Sequence, residues 1–406
     1  MKTLRLLITI SLLITLGGGA IDAQDRGLSF SGTLDTRILM GAGAGEGPDF
    51  SLGLETAANM RFQAPLREWG TFYGAFNLIA ATGSIAAAAG QMAGANNGPF
   101  LSTPLVAGEN YAGGIELERL YFRIQGEYTQ LDTGLMRLPF GYGTLWGPSD
   151  FLNPRSPLLP DARLRGIMGS AFSAFPGNDL KLQAFAAAPK NPLASGGEGF
   201  ILGLSGENHW SRASVQALYA YETPGAAPQG ANPQGASPQE ESSYGVHRAG
   251  LSVKADVEVG LVADALYTYN PSVSTGIEGL AASAGVDYSL LDGSLYVLTE
   301  YLYSGAASST ARNLGLANRH YLNAMGRYRI NDYAGVSLVV VAGLEDYSFS
   351  PILSAEYEPF QGMTLGLSAQ IPLDRDLFSG NGETGELGPE NSRNYAVVTL
   401  KARLRF

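Results

Sequence analysis

From Leu28 onward apolar and polar residues alternate with a period of two, and no stretch sustains the 3.6-residue stripe of an amphipathic helix. In the first stretch Leu28, Phe30, Leu34, Ile38 and Met40 share one face, and Ser29, Ser31, Thr33, Asp35 and Arg37 the other. The second repeats it, with Phe50, Leu52, Leu54, Ala58, Met60 and Phe62 against Ser51, Glu55, Asn59, Arg61 and Gln63. Successive side chains of a strand point to opposite sides, so each segment reads as a strand with one oily face. Strands in soluble domains usually run about 5–6 residues, whereas a tilted strand that crosses a bilayer needs about 9–11. Segments of the second kind recur at 28–40, 50–65, 71–82, 115–125, 129–138, 164–175, 180–187, 199–207, 213–221, 244–254, 257–269, 277–290, 294–303, 320–330, 334–344, 349–358, 363–372 and 394–406. An open sheet in lipid would leave its edge N–H and C=O groups unpaired, so the sheet must close on itself. The fold class is therefore all-β: a closed antiparallel transmembrane barrel of about 18 strands (16–18) over residues 24–406.

The connections alternate in length. Tight turns fall at Arg67–Gly70, Gly126–Tyr128, Pro176–Asp179, Leu291–Gly293, Asn331–Tyr333 and Pro359–Gly362, and most of the intervening connections are long, at 83–114, 139–163, 188–198, 222–243, 304–319 and 373–393. Short turns on one side and long loops on the other are expected of short periplasmic turns and long extracellular loops, with both termini on the short-turn side. The N-terminus fits that destination. Lys2 and Arg5 precede the apolar run Leu6–Leu16, small residues follow through Ala20 and Ala23, and residues 1–23 read as a secretory signal peptide. With no Cys there are neither disulfides nor thiolate metal sites, and 26 Lys+Arg against 37 Asp+Glu leave no basic field for nucleic acid.

The last strand, YAVVTLKARLRF, sets Leu400, Ala402, Leu404 and the terminal Phe406 on one face, and Lys401, Arg403 and Arg405 on the other. Cations on the lipid face near the midplane would each cost about 2–4 kcal/mol, so the second face looks into a wet lumen or rim. A strand ending in Phe at the C-terminus resembles the assembly signal of bacterial outer-membrane barrels, and that resemblance implies insertion into outer-membrane lipid by the barrel-assembly machinery. The same parity turns inward Arg37, Arg61, Arg119, Arg123, Arg137, Lys181, Arg327 and Arg329, opposed by Asp35, Glu55, Glu258, Asp264, Asp287, Glu300 and Glu356. These charges read in two ways: as cross-strand pairs that brace the wall, or as a polar conduit whose Arg rows favour anions.

Residues 139–163 are the most distinctive segment. Trp146, Asp150, Asn153, Arg155, Asp161 and Arg163 stand among Pro139, Pro148, Pro154, Pro157 and Pro160. Proline fixes φ and lowers loop entropy, which suits a rigid loop folded into the lumen to narrow it. The alternative is a surface cap in which Asp150 and Arg155 hold turns together. Trp146 to Pro154 looks like a segment that recurs in Gram-negative barrel families of porin-like architecture. The Ala/Gly-rich stretch 84–114 and the imperfect repeat in 223–243 are expected to be mobile loops.

No phosphate loop, His-Glu-x-x-His or nucleophile elbow occurs, and neither a metal nor a cofactor is implied. Asn208-His209-Trp210-Ser211 has a spacing similar to that of outer-membrane phospholipases, but it sits at a short turn. The expected function is a porin-like channel, not an enzyme, for passive diffusion of small hydrophilic solutes. Arg119, Arg123, Arg137, Asp150, Arg155, Asp161, Arg163, Arg327 and Arg329 are the candidate pore-lining or constriction residues. The porin resemblance also implies a homotrimer. A structural or adhesive barrel with a plugged lumen is the second reading and a surface hydrolase the third.

Overall fold

The computed structural model describes residues 27–43, 50–66, 69–86, 101–158, 163, 166–188, 199–224, 245–271, 276–373, 385–388 and 394–406. The signal-peptide segment, Asp161 and nearly all of the 223–243 repeat lie outside them. The strands are β1 (Ser29–Gly43), β2 (Phe50–Leu66), β3 (Gly70–Gly83), β4 (Leu101–Gly108), β5 (Tyr111–Gln125), β6 (Thr129–Met136), β7 (Ile167–Ala174), β8 (Leu180–Ala188), β9 (Ile201–Trp210) and β10 (Ala213–Glu222). They continue with β11 (Val246–Asp256), β12 (Gly260–Tyr269), β13 (Leu280–Leu290), β14 (Leu295–Ser304), β15 (His320–Asn331), β16 (Ala334–Gly343), β17 (Ser348–Phe360), β18 (Met363–Gln370) and β19 (Asn394–Arg405). One short helix, α1 (Ser309–Leu314), lies between β14 and β15.

Apart from β4, each strand pairs antiparallel with the next, β3 pairing directly with β5, and β19 closes on β1 with Ile38 opposite Leu400 and Leu34 opposite Leu404. The result is a closed 18-stranded antiparallel barrel. At the seam the Gly32 N–H donates to the Phe406 carbonyl at 2.8 Å, and the Phe406 N–H returns the bond at 3.1 Å.

One sequence expectation is corrected here. The 83–114 connection is not a loop throughout, because Leu101–Gly108 forms β4 and β5 begins at Tyr111. The reason is a bare edge. β6 pairs only with Leu120–Gln125 of β5, and β4 folds back to pair with Tyr111–Leu117 above it. The ladder shifts register between Pro104 and Val106, where proline has no N–H to give.

Outside, the strand bodies expose Ile38, Leu202, Leu204, Leu251, Leu353, Leu367 and Leu400. Near the short turns Phe30, Phe62, Phe72 and Phe122 form a row across four strands, with successive ring centroids 6.4, 5.6 and 4.5 Å apart. Near the long loops, Tyr219, Tyr221 and Tyr269 surround His247, and Tyr301 and Tyr303 flank His320. An apolar band between two aromatic girdles is a surface matched to lipid. The two cores of buried apolar side chains lie inside the ring, and both are built around one loop.

Candidate functional site

Between β6 and β7, residues 137–158 enter the lumen, and Arg163 and Gly166 lie on the way back to β7. Their backbone donors are met by inward side chains of the facing wall. The Gly141 N–H donates to Gln216 on β10 at 2.6 Å, the Leu145 and Trp146 N–H groups to Glu300 on β14 at 2.9 and 3.1 Å, and the Ser149 N–H and hydroxyl to Asp264 on β12. The Tyr142 hydroxyl donates to Glu207 on β9 at 2.7 Å. A buried N–H costs free energy unless paired, so an irregular segment can sit here only because the wall supplies acceptors at these places.

Apolar packing completes the attachment. Leu138, Phe140 and Phe151 pack with Met136, Ile167, Phe185, Ile201, Leu218 and Leu266. Trp146, with none of its surface exposed, packs against Tyr321, Leu302 and Val341, and against Leu387 from the 385–388 segment. The Trp146 indole N–H faces the side-chain oxygen of Asn323. Among the described residues, β17, β18, β19, β1 and β2 contribute to neither cluster. The loop therefore fills one side of the lumen and leaves the other polar.

Most of the inward arginines are paired among the described residues. Arg37 bonds Glu55 at 2.9 Å, Arg403 bonds Asp35 at 2.6 Å, Arg123 bonds Asp132 at 2.8 Å and Arg137 bonds Glu118 at 2.8 Å. Arg119 lies 3.5 Å from the same Glu118. Arg163 ties the returning end of the loop to Glu55 of β2 at 2.7 Å and Glu116 of β5 at 3.0 Å. Burial works against its charge, but Glu116 and Glu55 outweigh burial and hold its pKa above the ordinary value. Arg155 is exposed on the loop. Arg327 and Arg329 are exposed on the β15 face that carries Tyr321 and Asn323, near a short turn, and have no ion-pair partner among the described residues. Arg61 and Arg119, with Gln63, Tyr73 and Tyr121, line a recess of about 170 Å³ near the same end.

Asp150 is 6 % exposed, and its Oδ1 has no hydrogen-bond partner among the described residues. Burial raises its pKa to about 7; Arg155 and the backbone bonds from Phe140 and Asn153 oppose the rise, and Asp264 adds to it. Of the assembly candidates, Leu400, Ala402 and Leu404 lie on β19, where Leu400 is exposed on the outer face, and Phe406 follows it with its ring over Gly32. His209 bonds the Ser214 hydroxyl through Nδ1 at 2.8 Å, and Ser211 lies in the turn that follows β9. The phospholipase-like pair is thus not brought together at the rim of the long loops, the place the hydrolase reading requires.

Strict parity missed Glu116 and Glu118. Ala75 faces Arg119 and Phe76 faces Leu117, so Glu118 is the extra residue of a bulge and both glutamates serve the lumen. The broken alternation at Glu116-Leu117-Glu118-Arg119 was the available signal.

No protein-family model matches the chain, and no curated sequence does. Solved structures do share its fold. OccAB4 of Acinetobacter baumannii superposes with a TM-score of 0.53 at 10 % identity, covering 93 % of this chain and 98 % of that one. OccK7 of Pseudomonas aeruginosa gives 0.52 at 11 %, covering 94 % and 98 %. OprB of Pseudomonas putida gives 0.50 at 12 %, covering 96 % and 97 %. These are bacterial outer-membrane porins, and the chain has the fold of that class. Identity this low speaks for the architecture alone.

Proposed function

We propose that this protein is an outer-membrane channel of the porin type, through which small hydrophilic solutes diffuse passively along the polar side of the lumen. The observation that carries the reading is the division of the interior. One loop is anchored within the barrel by its backbone and its apolar side chains, while the wall from β17 through β19 to β2 stays polar and belongs to neither apolar cluster. Loop 139–163 would set the cutoff, and the exposed Arg155, Arg327 and Arg329, which make no ion pair among the described residues, would favour anions. Residues 1–23 would direct export, and the terminal strand would be read by the barrel-assembly machinery. The test is single-channel recording of the refolded protein in a planar bilayer under a salt gradient, where stable open steps with an anion-selective reversal potential are expected.

A second reading, a structural barrel with a closed lumen, draws on the same two clusters, since the loop occupies much of the interior. Silence from a protein shown to be a folded barrel would favour it.

A further inference from the structure

Asp264 on β12 and Glu300 on β14 are 1 % and 0 % exposed, and neither has an ion-pair partner among the described residues. Burying a carboxylate is costly unless hydrogen-bond donors surround it. Here the loop supplies the donors. The two Glu300 oxygens each accept a backbone N–H, from Leu145 at 2.9 Å and Trp146 at 3.1 Å. Asp264 accepts the Ser149 N–H at 3.3 Å, the Ser149 hydroxyl, and the hydroxyl of Ser252 on β11 at 2.7 Å. Charge-assisted bonds of this kind are about twice as strong as neutral ones.

We propose that Asp264 and Glu300 are positioning residues that latch the loop at the depth where it narrows the lumen; the inference rests on the channel reading above. The two sites differ in chemistry. Backbone N–H groups can only donate, so an amide at 300 must turn its own NH2 toward one of them and lose that bond. Hydroxyls also accept, so an amide at 264 can keep the Ser149 N–H on its oxygen and turn its NH2 to Ser149 and Ser252. Glu300→Gln, which keeps one of the two bonds and sets an NH2 against the other N–H, should therefore move further toward Glu300→Ala than Asp264→Asn moves toward Asp264→Ala. A role limited to wall stability would not separate the two amides in this way.

Trp146 reports the loop directly. The other tryptophans, Trp69 and Trp210, are 53 % and 58 % exposed, so a Trp69→Phe/Trp210→Phe parent leaves one fully buried indole. Emission maxima are compared in detergent micelles for variants whose heat-modifiable gel mobility reports a folded barrel, and bilayer conductance is recorded for the same proteins. The expected result is a red shift for Glu300→Gln, Glu300→Ala and Asp264→Ala, a smaller one for Asp264→Asn, and conductance that rises with the shift. A folded Glu300→Gln protein with the parent's emission overturns the latch, as does one that shifts less than Asp264→Asn. Should the Glu300 variants fail to refold, Asp264→Ala with unshifted emission overturns it instead. Red shifts in a series in which even the parent does not conduct uphold the latch and overturn the channel reading. A conducting parent whose Glu300→Gln emission stays unshifted overturns the latch alone.

Discussion

Arg155 and Arg163 belong to the same loop but differ in what surrounds them. Arg155 is exposed, and its charge is available to a passing solute. Arg163 is engaged by Glu55 and Glu116, and its charge is spent on holding the chain. Arg155→Glu should therefore move the reversal potential toward cations while the barrel folds normally, which recording in a salt gradient would show. Arg163→Ala should instead weaken the seating of the loop by about 1.5–3 kcal/mol, the scale of hydrogen bonds to charged groups. Urea dependence of the Trp146 emission measures that loss. The types of both residues and their proline-rich setting were legible in the sequence. Their division of labour was not, because Glu116 faces the lumen beside a bulge that breaks parity, and Glu55 comes from a strand distant in the chain.

The loop is an element without regular structure, and it keeps its place because its donors meet wall acceptors and its apolar side chains meet wall apolar ones. Asp150 makes that seating sensitive to pH. Its carboxyl is raised to about 7 in the seated loop, against about 3.9 for a solvated aspartate. As pH rises from about 4 to about 7, a released loop has already lost the proton that the seated loop retains, so seating weakens across that window and levels off above it. Trp146 emission should accordingly drift to the red over the window in the parent, and Asp150→Asn should remove this contribution. A flat profile in the parent would count against it. At the level of strands, alternation located every member of the ring, and the differences are mostly at the ends. β4 was illegible for a physical reason, since Leu101–Gly108 contains Pro104 and becomes a strand only because β5 offers it an unpaired edge.

For the molecule as a whole, closure is the decisive event, and it depends on the seam between β1 and β19. The Phe406 ring lies over Gly32 so closely that a Cβ there would come within 2.6 Å of it. Gly32→Val should therefore lower the yield of heat-modifiable, folded barrel without touching the lumen, and a full yield would show that the seam tolerates the side chain. The sequence by itself determined a long-stranded, one-side-oily sheet, its need to close, its two unlike ends and its mixed inner charge. All of these follow from side-chain period and turn chemistry, which are local. Only the tertiary structure decided which arginines are paired and which are not, that the loop enters the lumen and is held there by Gln216, Asp264 and Glu300, and that the interior splits into a packed side and a polar one. Those facts depend on contacts between strands far apart in the chain, and the period of a strand says which way a side chain points but not what it meets.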